Sequence, residues 1–225
     1  MRSLKFFASI VFSAGMLVAH PRAASAETIQ FDLTVDTSSL QSQYGYVDFQ
    51  FNPSSFTTQS GTAQIVSFTT DGVLNSSDPN NGTSDAALGT LPGTVTLQNS
   101  QPSPNEYWEG ITFGEIITLD LQLSGPAIGT PDGNGGGTFV LDFYDDNGYL
   151  FTADSQNDVP VFTLDVNGDG STSATTYASN MTGGAPVVTF SGPTLAAATP
   201  EPASFALVGT GLLGAIGILR RRIKE

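Results

Sequence analysis

Along most of the chain, apolar and polar residues alternate with a period of two, the signature of strands with one buried and one exposed face. Ile29, Phe31, Leu33 and Val35 alternate with Gln30, Asp32 and Thr34, and Val47, Phe49 and Phe51 alternate with Asp48 and Gln50. Similar runs recur at 62–69, 93–98, 111–113, 116–123, 138–144, 149–153, 159–166 and 186–192. Segments rich in Gly, Asn, Asp, Ser and Thr separate them, at 75–83, 129–137, 145–148 and 167–173. That composition favours turns, and Asp145-Asp146-Asn147-Gly148 between two strand patterns predicts a hairpin turn. The pattern predicts an all-β domain over 27–197, an antiparallel β-sandwich of jelly-roll-like type. A parallel β-helix is the alternative, but the internal repeat it requires is missing.

Two apolar runs do not alternate. The first, 6–19, follows a short positive segment, Met1-Arg2-Ser3-Leu4-Lys5, and precedes Ala24-Ser25-Ala26. A positive start, an apolar stretch and a small-x-small site are the parts of a secretory signal. The expectation is a signal helix within 1–26, cut by signal peptidase after Ala26 to leave Glu27 as the first mature residue. An uncleaved anchor is the alternative, but the run is shorter than the ~20 residues a membrane span needs.

The second run belongs to a three-part tail. Thr199-Pro200-Glu201-Pro202-Ala203-Ser204 leads into an apolar stretch ending at Leu219, and Arg220, Arg221, Arg222 and Lys224 follow. Residues 203–219 make a transmembrane helix of minimal length. The arginines belong on the cytoplasmic side of that helix. The two prolines hold the segment before it extended and out of helix, open to a protease.

In order and spacing, residues 198–225 resemble a PEP-CTERM sorting signal, found on exported proteins of bacteria that make exopolysaccharide. The resemblance implies processing by exosortase, a membrane protease, with Pro200, Glu201 and Pro202 as the recognition element. It implies a protein held in the cell-envelope membrane by its C-terminal helix before processing, then left at the surface or released. It says nothing of what the body of the chain binds.

Charge narrows the choice. All seven Lys and Arg lie in the first 22 or the last six residues, and the one histidine is His20. Of 21 acidic residues, 19 fall between Glu27 and Asp169, so the body carries about −19 with no internal cation. Nucleic acid is excluded as a partner, because phosphates need Lys and Arg. Anionic lipid surfaces are excluded for the same reason. A chain with no cysteine and no histidine in its body has neither a thiolate nor a His-based triad. Gly133-Asn134-Gly135-Gly136-Gly137 lacks the Lys and the helix of a phosphate loop.

Three candidate sites remain. Asp165, Asn167 and Asp169, followed by Gly170, begin like a calcium loop, D-x-N-x-D-G. Thr176 stands where a bidentate Glu should be, so a turn rich in Asp and Asn explains the segment equally. Asp142, Asp145 and Asp146 form a second possible calcium cluster. Glu106-Tyr107-Trp108-Glu109 holds the only tryptophan and suggests a sugar patch of Tyr107 and Trp108, with Tyr44 or Tyr46 nearby. In a strand, Glu106 and Glu109 face opposite sides, which argues against a glycosidase acid pair.

The expectation is a non-catalytic surface or matrix protein without an obligate cofactor, calcium being the one candidate. Exopolysaccharide is the candidate partner, and a carbohydrate-binding module or calcium-binding adhesion domain is the alternative. Mass spectrometry of the surface fraction tests the addresses. Mature protein should begin at Glu27 and lack Arg220–Arg222; a surface form retaining those arginines contradicts processing.

Overall fold

The computed structural model of the protein describes residues 27–151 and 160–196. Fourteen strands among them form two antiparallel sheets. The first sheet holds β1 (Ile29–Asp36), β3 (Thr62–Thr70), β6 (Ala87–Leu88), β7 (Val95–Gln98), β9 (Ile116–Ser124) and β14 (Val188–Leu195), in the order β14-β1-β9-β3-β7-β6. The second holds β2 (Tyr44–Asn52), β8 (Glu106–Thr112), β10 (Gly137–Asp145), β12 (Phe162–Val166) and β13 (Thr172–Thr176). Its order is β13-β12-β10-β2-β8-β4, where β4 is Val73–Leu74; β5 (Gly82–Thr83) also pairs with β8, and β11 (Gly148–Tyr149) with β10.

The winding is that of a jelly roll. β1 pairs with β9, β2 with β8 and β3 with β7, so the chain folds back as one long antiparallel ribbon. The β1·β9 and β3·β7 rungs fall in one sheet and the β2·β8 rung in the other, which rolls the ribbon around its apolar side. β10, β12 and β13 extend the second sheet beyond β2, and β14 extends the first beyond β1.

Period two explains the core. Phe31, Leu33 and Val35 of β1, Ile117, Leu119, Leu121 and Leu123 of β9, and Val47, Phe49 and Phe51 of β2 are all buried in one cluster. Phe139, Leu141 and Phe143 of β10 and Phe162 and Leu164 of β12 join them. Aromatic rings meet across the sheets: Phe49 of β2 stands edge-on to Phe68 of β3 at 6.4 Å, and Phe162 to Phe190 at 5.5 Å. Such pairs add about 0.5–1.5 kcal/mol beyond their buried area.

The strands differ from the sequence pattern in instructive places. β8 starts at Glu106, five residues before the run at 111, because a carboxylate, Glu109, occupies one of its core-facing positions and hides the alternation. β4, β5, β6 and β13 lie in or beside stretches read as turns. They have too few alternating apolar residues to announce themselves, and backbone pairing to an existing strand creates them. The hairpin turn at 145–148 is present, with Asp145 opposite Gly148.

Ile29 and Leu195 are register partners at one end of the first sheet. The strands therefore begin two residues after the expected cut at Ala26 and end three residues before the tail at 198. Ala24, Ala26, the span 203–219, Pro200, Glu201, Pro202, Arg220, Arg221 and Arg222 lie outside the described residues. Among the described residues no helix is long and apolar enough to cross a membrane.

Phe49 is fully buried, whereas Phe56 is 94% exposed. In urea melts Phe49→Ala is expected to lose about 3–5 kcal/mol of stability. Phe56→Ala should stay within about 0.5 kcal/mol of the unaltered chain. Equal losses would contradict this placement of the core.

Candidate functional site

The outer face of the second sheet is not simply polar. Tyr46 and Asp48, which point away from the core, are 5% and 4% exposed. β2 lies between β8 and β10, and the register places Asp48 beside both Trp108 and Asp142. One row along, Tyr46 lies between Gly110 and Tyr144. In the opposite direction Gln50 lies between Glu106 and Val140. Side chains two apart on three adjacent strands thus share one outer surface.

Trp108 is fixed from below and from the side. Its Nε1 donates to the Asn80 carbonyl at 2.7 Å. Gly82 lies directly opposite in register, and a Cβ there would overlap the indole ring. Loop 75–81 is pinned to the edge of β8. The Asn75 amide donates to the Gly110 carbonyl at 2.7 Å, the Gly110 amide to Asn81 Oδ1 at 2.7 Å, and Ser76 Oγ to Glu109 Oε1 at 2.7 Å. Gly110 likewise makes room for the Tyr44 hydroxyl.

Asp48, Gln50, Glu106, Trp108, Tyr144, Asp145, Gly148 and Tyr149 enclose a cleft of about 380 Å³, within the ~300–1,000 Å³ of small-ligand sites. Tyr144 stacks on Tyr46 at 5.0 Å and meets Tyr149 edge-on at 6.4 Å, so a band of tyrosine runs into the cleft. Gln50 Nε2 donates to Asp48 Oδ2 at 2.6 Å. Asp48 Oδ1 is buried and has no hydrogen-bond partner. A larger cleft of about 480 Å³, lined by Ser55, Phe56, Gln98 and Gln101 among others, holds no titratable side chain.

Burial pushes the Asp48 carboxyl up to about 7, against the opposing hydrogen bond from Gln50 and with help from the charge of Glu106. Glu106 is also raised, by burial. The Tyr144 phenol is raised by burial and then by the charges of Asp48 and Glu106. The cleft is therefore an electronegative, partly desolvated recess walled by aromatic rings.

Of the other expected site residues, Glu106 and Asp145 line this cleft as well, and Tyr107 does not. Tyr107 lies on the core side of β8, on the opposite face from Trp108. It is buried, donates its hydroxyl to Glu109 Oε2 and accepts the Leu91 amide at 2.9 Å. Glu106 and Glu109 face opposite sides of β8, as alternation requires. Tyr46 accepts from Asn80 Nδ2 at 3.2 Å, and Tyr44 donates to Asp78.

The segment with the calcium-loop beginning connects β12 to β13. Asp165 Oδ1 accepts from Thr138 Oγ1 at 2.5 Å, and Asn167 Nδ2 donates to Ser171 and Ser173. Asp169 Oδ1 accepts the Ser171 amide at 2.9 Å. The Asn167 and Asp169 contacts build a hairpin turn, while Asp165 is tied across to Thr138 on β10. Asp142 Oδ1 accepts the Phe143 amide at 2.8 Å, and Asp145 Oδ1 the Asn147 amide at 2.7 Å. Asp146 is exposed in the β10–β11 turn. Among the described residues no three His, Asp or Glu side chains converge to hold a metal ion.

Asp48 is the residue that sequence reasoning missed. An acid flanked by Val47 and Phe49 reads as the exposed member of an alternating strand. Residues 198–222 match the family model of the PEP-CTERM protein-sorting motif. The tail is a PEP-CTERM sorting signal. That motif implies export, cell-surface sorting and processing by exosortase. No curated protein and no solved structure matches the chain. The PEP-CTERM match covers the tail, so what the sandwich does rests on its own geometry.

Asp48 also makes stability depend on pH. Its folded pKa is about 7 against an ordinary 3.8, so the native state holds the proton more tightly than the unfolded chain. The resulting contribution is full below about pH 4 and is lost as pH rises through about 7. Asp48→Asn keeps the neutral form at every pH. In thermal melts it should match the unaltered chain near pH 3 and exceed it at pH 8, by about 4 kcal/mol at most. Parallel pH profiles for the two proteins would contradict a carboxylate buried without a cationic partner.

Proposed function

We propose that this chain is a non-catalytic, exported surface protein whose sandwich holds exopolysaccharide in the Trp108 cleft. The carrying observation is the half-buried indole, anchored through Asn80 and Gly82, facing a recess that also contains Gln50, Glu106 and Tyr144. Sugar rings present C–H faces that stack on aromatic rings, while their hydroxyls need the amide and carboxylate partners found beside them. The sorting signal supports the location, and the absence of cations from the body argues against anionic surfaces as partners. Signal peptidase and exosortase would act on the two ends, and the sandwich would remain as the working part.

A second reading is favoured by one observation. Asp48, whose proton affinity is raised to about 7, shares the cleft with Glu106, and a carboxyl that keeps its proton near neutral pH beside a second acid is the equipment of glycoside hydrolysis. Release of reducing sugar by the purified chain, abolished by Asp48→Asn, would favour hydrolysis over binding alone.

Exopolysaccharide from the producing cell, offered to the purified chain, should be retained and should not be shortened. Trp108→Ala is expected to weaken retention at least tenfold, and Gly82→Val, which displaces the indole, should do the same. Retention unaffected by both substitutions would place the binding surface elsewhere.

A further inference from the structure

The Trp108 cleft contains an unmet demand for positive charge. Asp48 Oδ1 is 96% withdrawn from solvent with its residue and accepts no hydrogen bond, while Oδ2 has only Gln50. Glu106 and Asp145 line the same recess. No Lys or Arg exists between Ala23 and Leu219, so the body of the chain has no cation of its own to set against these carboxylates. An uncompensated buried carboxylate is costly, and a donor or cation arriving with a ligand removes that cost.

The walls decide what kind of cation fits. Trp108, Tyr144 and Tyr149 line the cleft, and the faces of such rings attract ammonium groups, most strongly where water is thinned. A hard divalent ion needs six or more oxygens around it. Here aromatic carbon takes up much of the wall, and among the described residues no three acids stand close enough together to hold a metal ion. An anionic sugar would meet Asp48, Glu106 and Asp145 head-on. A neutral sugar could stack on Trp108 but would leave the charge of the recess unanswered.

We infer that the cleft takes a sugar bearing a protonated amine, with the ammonium directed to Asp48 and its sugar ring against Trp108. The ligand class is a polymer of amino sugars from which acetyl groups have been removed. The inference rests on the glycan reading above and narrows it. One ammonium supplies up to three donors, enough for Asp48 Oδ1 and for Glu106 beside it.

The chain has a single tryptophan, so its fluorescence reports on this cleft alone. The full chain is titrated at pH 7.5 and moderate salt with four oligosaccharides of equal length: glucosamine, N-acetylglucosamine, neutral glucose and a uronic acid. Glucosamine oligomers are expected to shift the fluorescence and to bind at least tenfold more tightly than the acetylated ones, with no binding of uronates. Asp48→Asn should remove at least tenfold of that affinity, and Glu106→Gln provides the same test if Asp48→Asn folds poorly. Asp132→Asn and Asp169→Asn, at exposed turns away from the cleft, should change affinity less than twofold. If they weaken binding as much as Asp48→Asn, attraction is by overall charge and the assignment fails. Equal binding of acetylated or neutral oligomers overturns the amine and leaves the glycan reading standing. Absence of binding to all four, together with no retention of the cell's own polysaccharide, overturns both.

Discussion

Strand β2 must satisfy two buried faces at once, and the rest of the molecule is arranged around that demand. On one side Val47, Phe49 and Phe51 fill the space between the sheets. On the other, Tyr46 and Asp48 are covered by side chains from β8 and β10, because both strands pair with β2 at these positions. A central strand of a sandwich ordinarily presents its second face to water. Here that face supports a further layer of aromatic side chains, and a carboxylate lies beneath it.

Burying a carboxylate without a cation is unfavourable, so the position of Asp48 is a local cost carried by the stability of the core. That core is large enough to carry it: one continuous cluster runs through both sheets, with phenylalanine rings meeting across it. The cost is concentrated in one cleft, while other acids are satisfied by neighbouring groups. The hydroxyl and then the amide of Ser38 donate to Asp36, those of Ser171 donate to Asp169, and the amides of Ile116 and Glu115 donate to Asp71, which lowers the proton affinity of all three. Local sharing of amides and hydroxyls replaces the salt bridges that a body without Lys or Arg cannot form.

The separation of charge also divides the chain by task. Positive residues occupy the two ends of the chain, and the C-terminal group closes the sorting motif at 198–222. Among the described residues the strands of the sandwich run from Ile29 to Leu195, ahead of the sorting motif at 198–222. A PEP-CTERM signal can therefore be processed without disturbing a hydrogen-bonded ladder. Both ends of the sandwich emerge beside each other, because β1 and β14 pair antiparallel along their lengths.

The sequence by itself determined the sorting tail, the all-β class and most long strands. Linear order and a period of two are properties of the chain alone, and the turn at 145–148 needs only its own four residues. It also separated Glu106 from Glu109, since alternation depends on nothing distant. Tertiary structure decided the rest. It assembled β4, β5, β6 and β13 by pairing weakly patterned residues with existing strands. It turned Tyr107 into the core and left Trp108 over Gly82. It buried Asp48, whose neighbours Trp108 and Tyr144 lie about 60 and 96 positions further along the chain. Whether an outward-facing acid meets water depends on which strands flank it and how large their side chains are, and no local pattern contains that information.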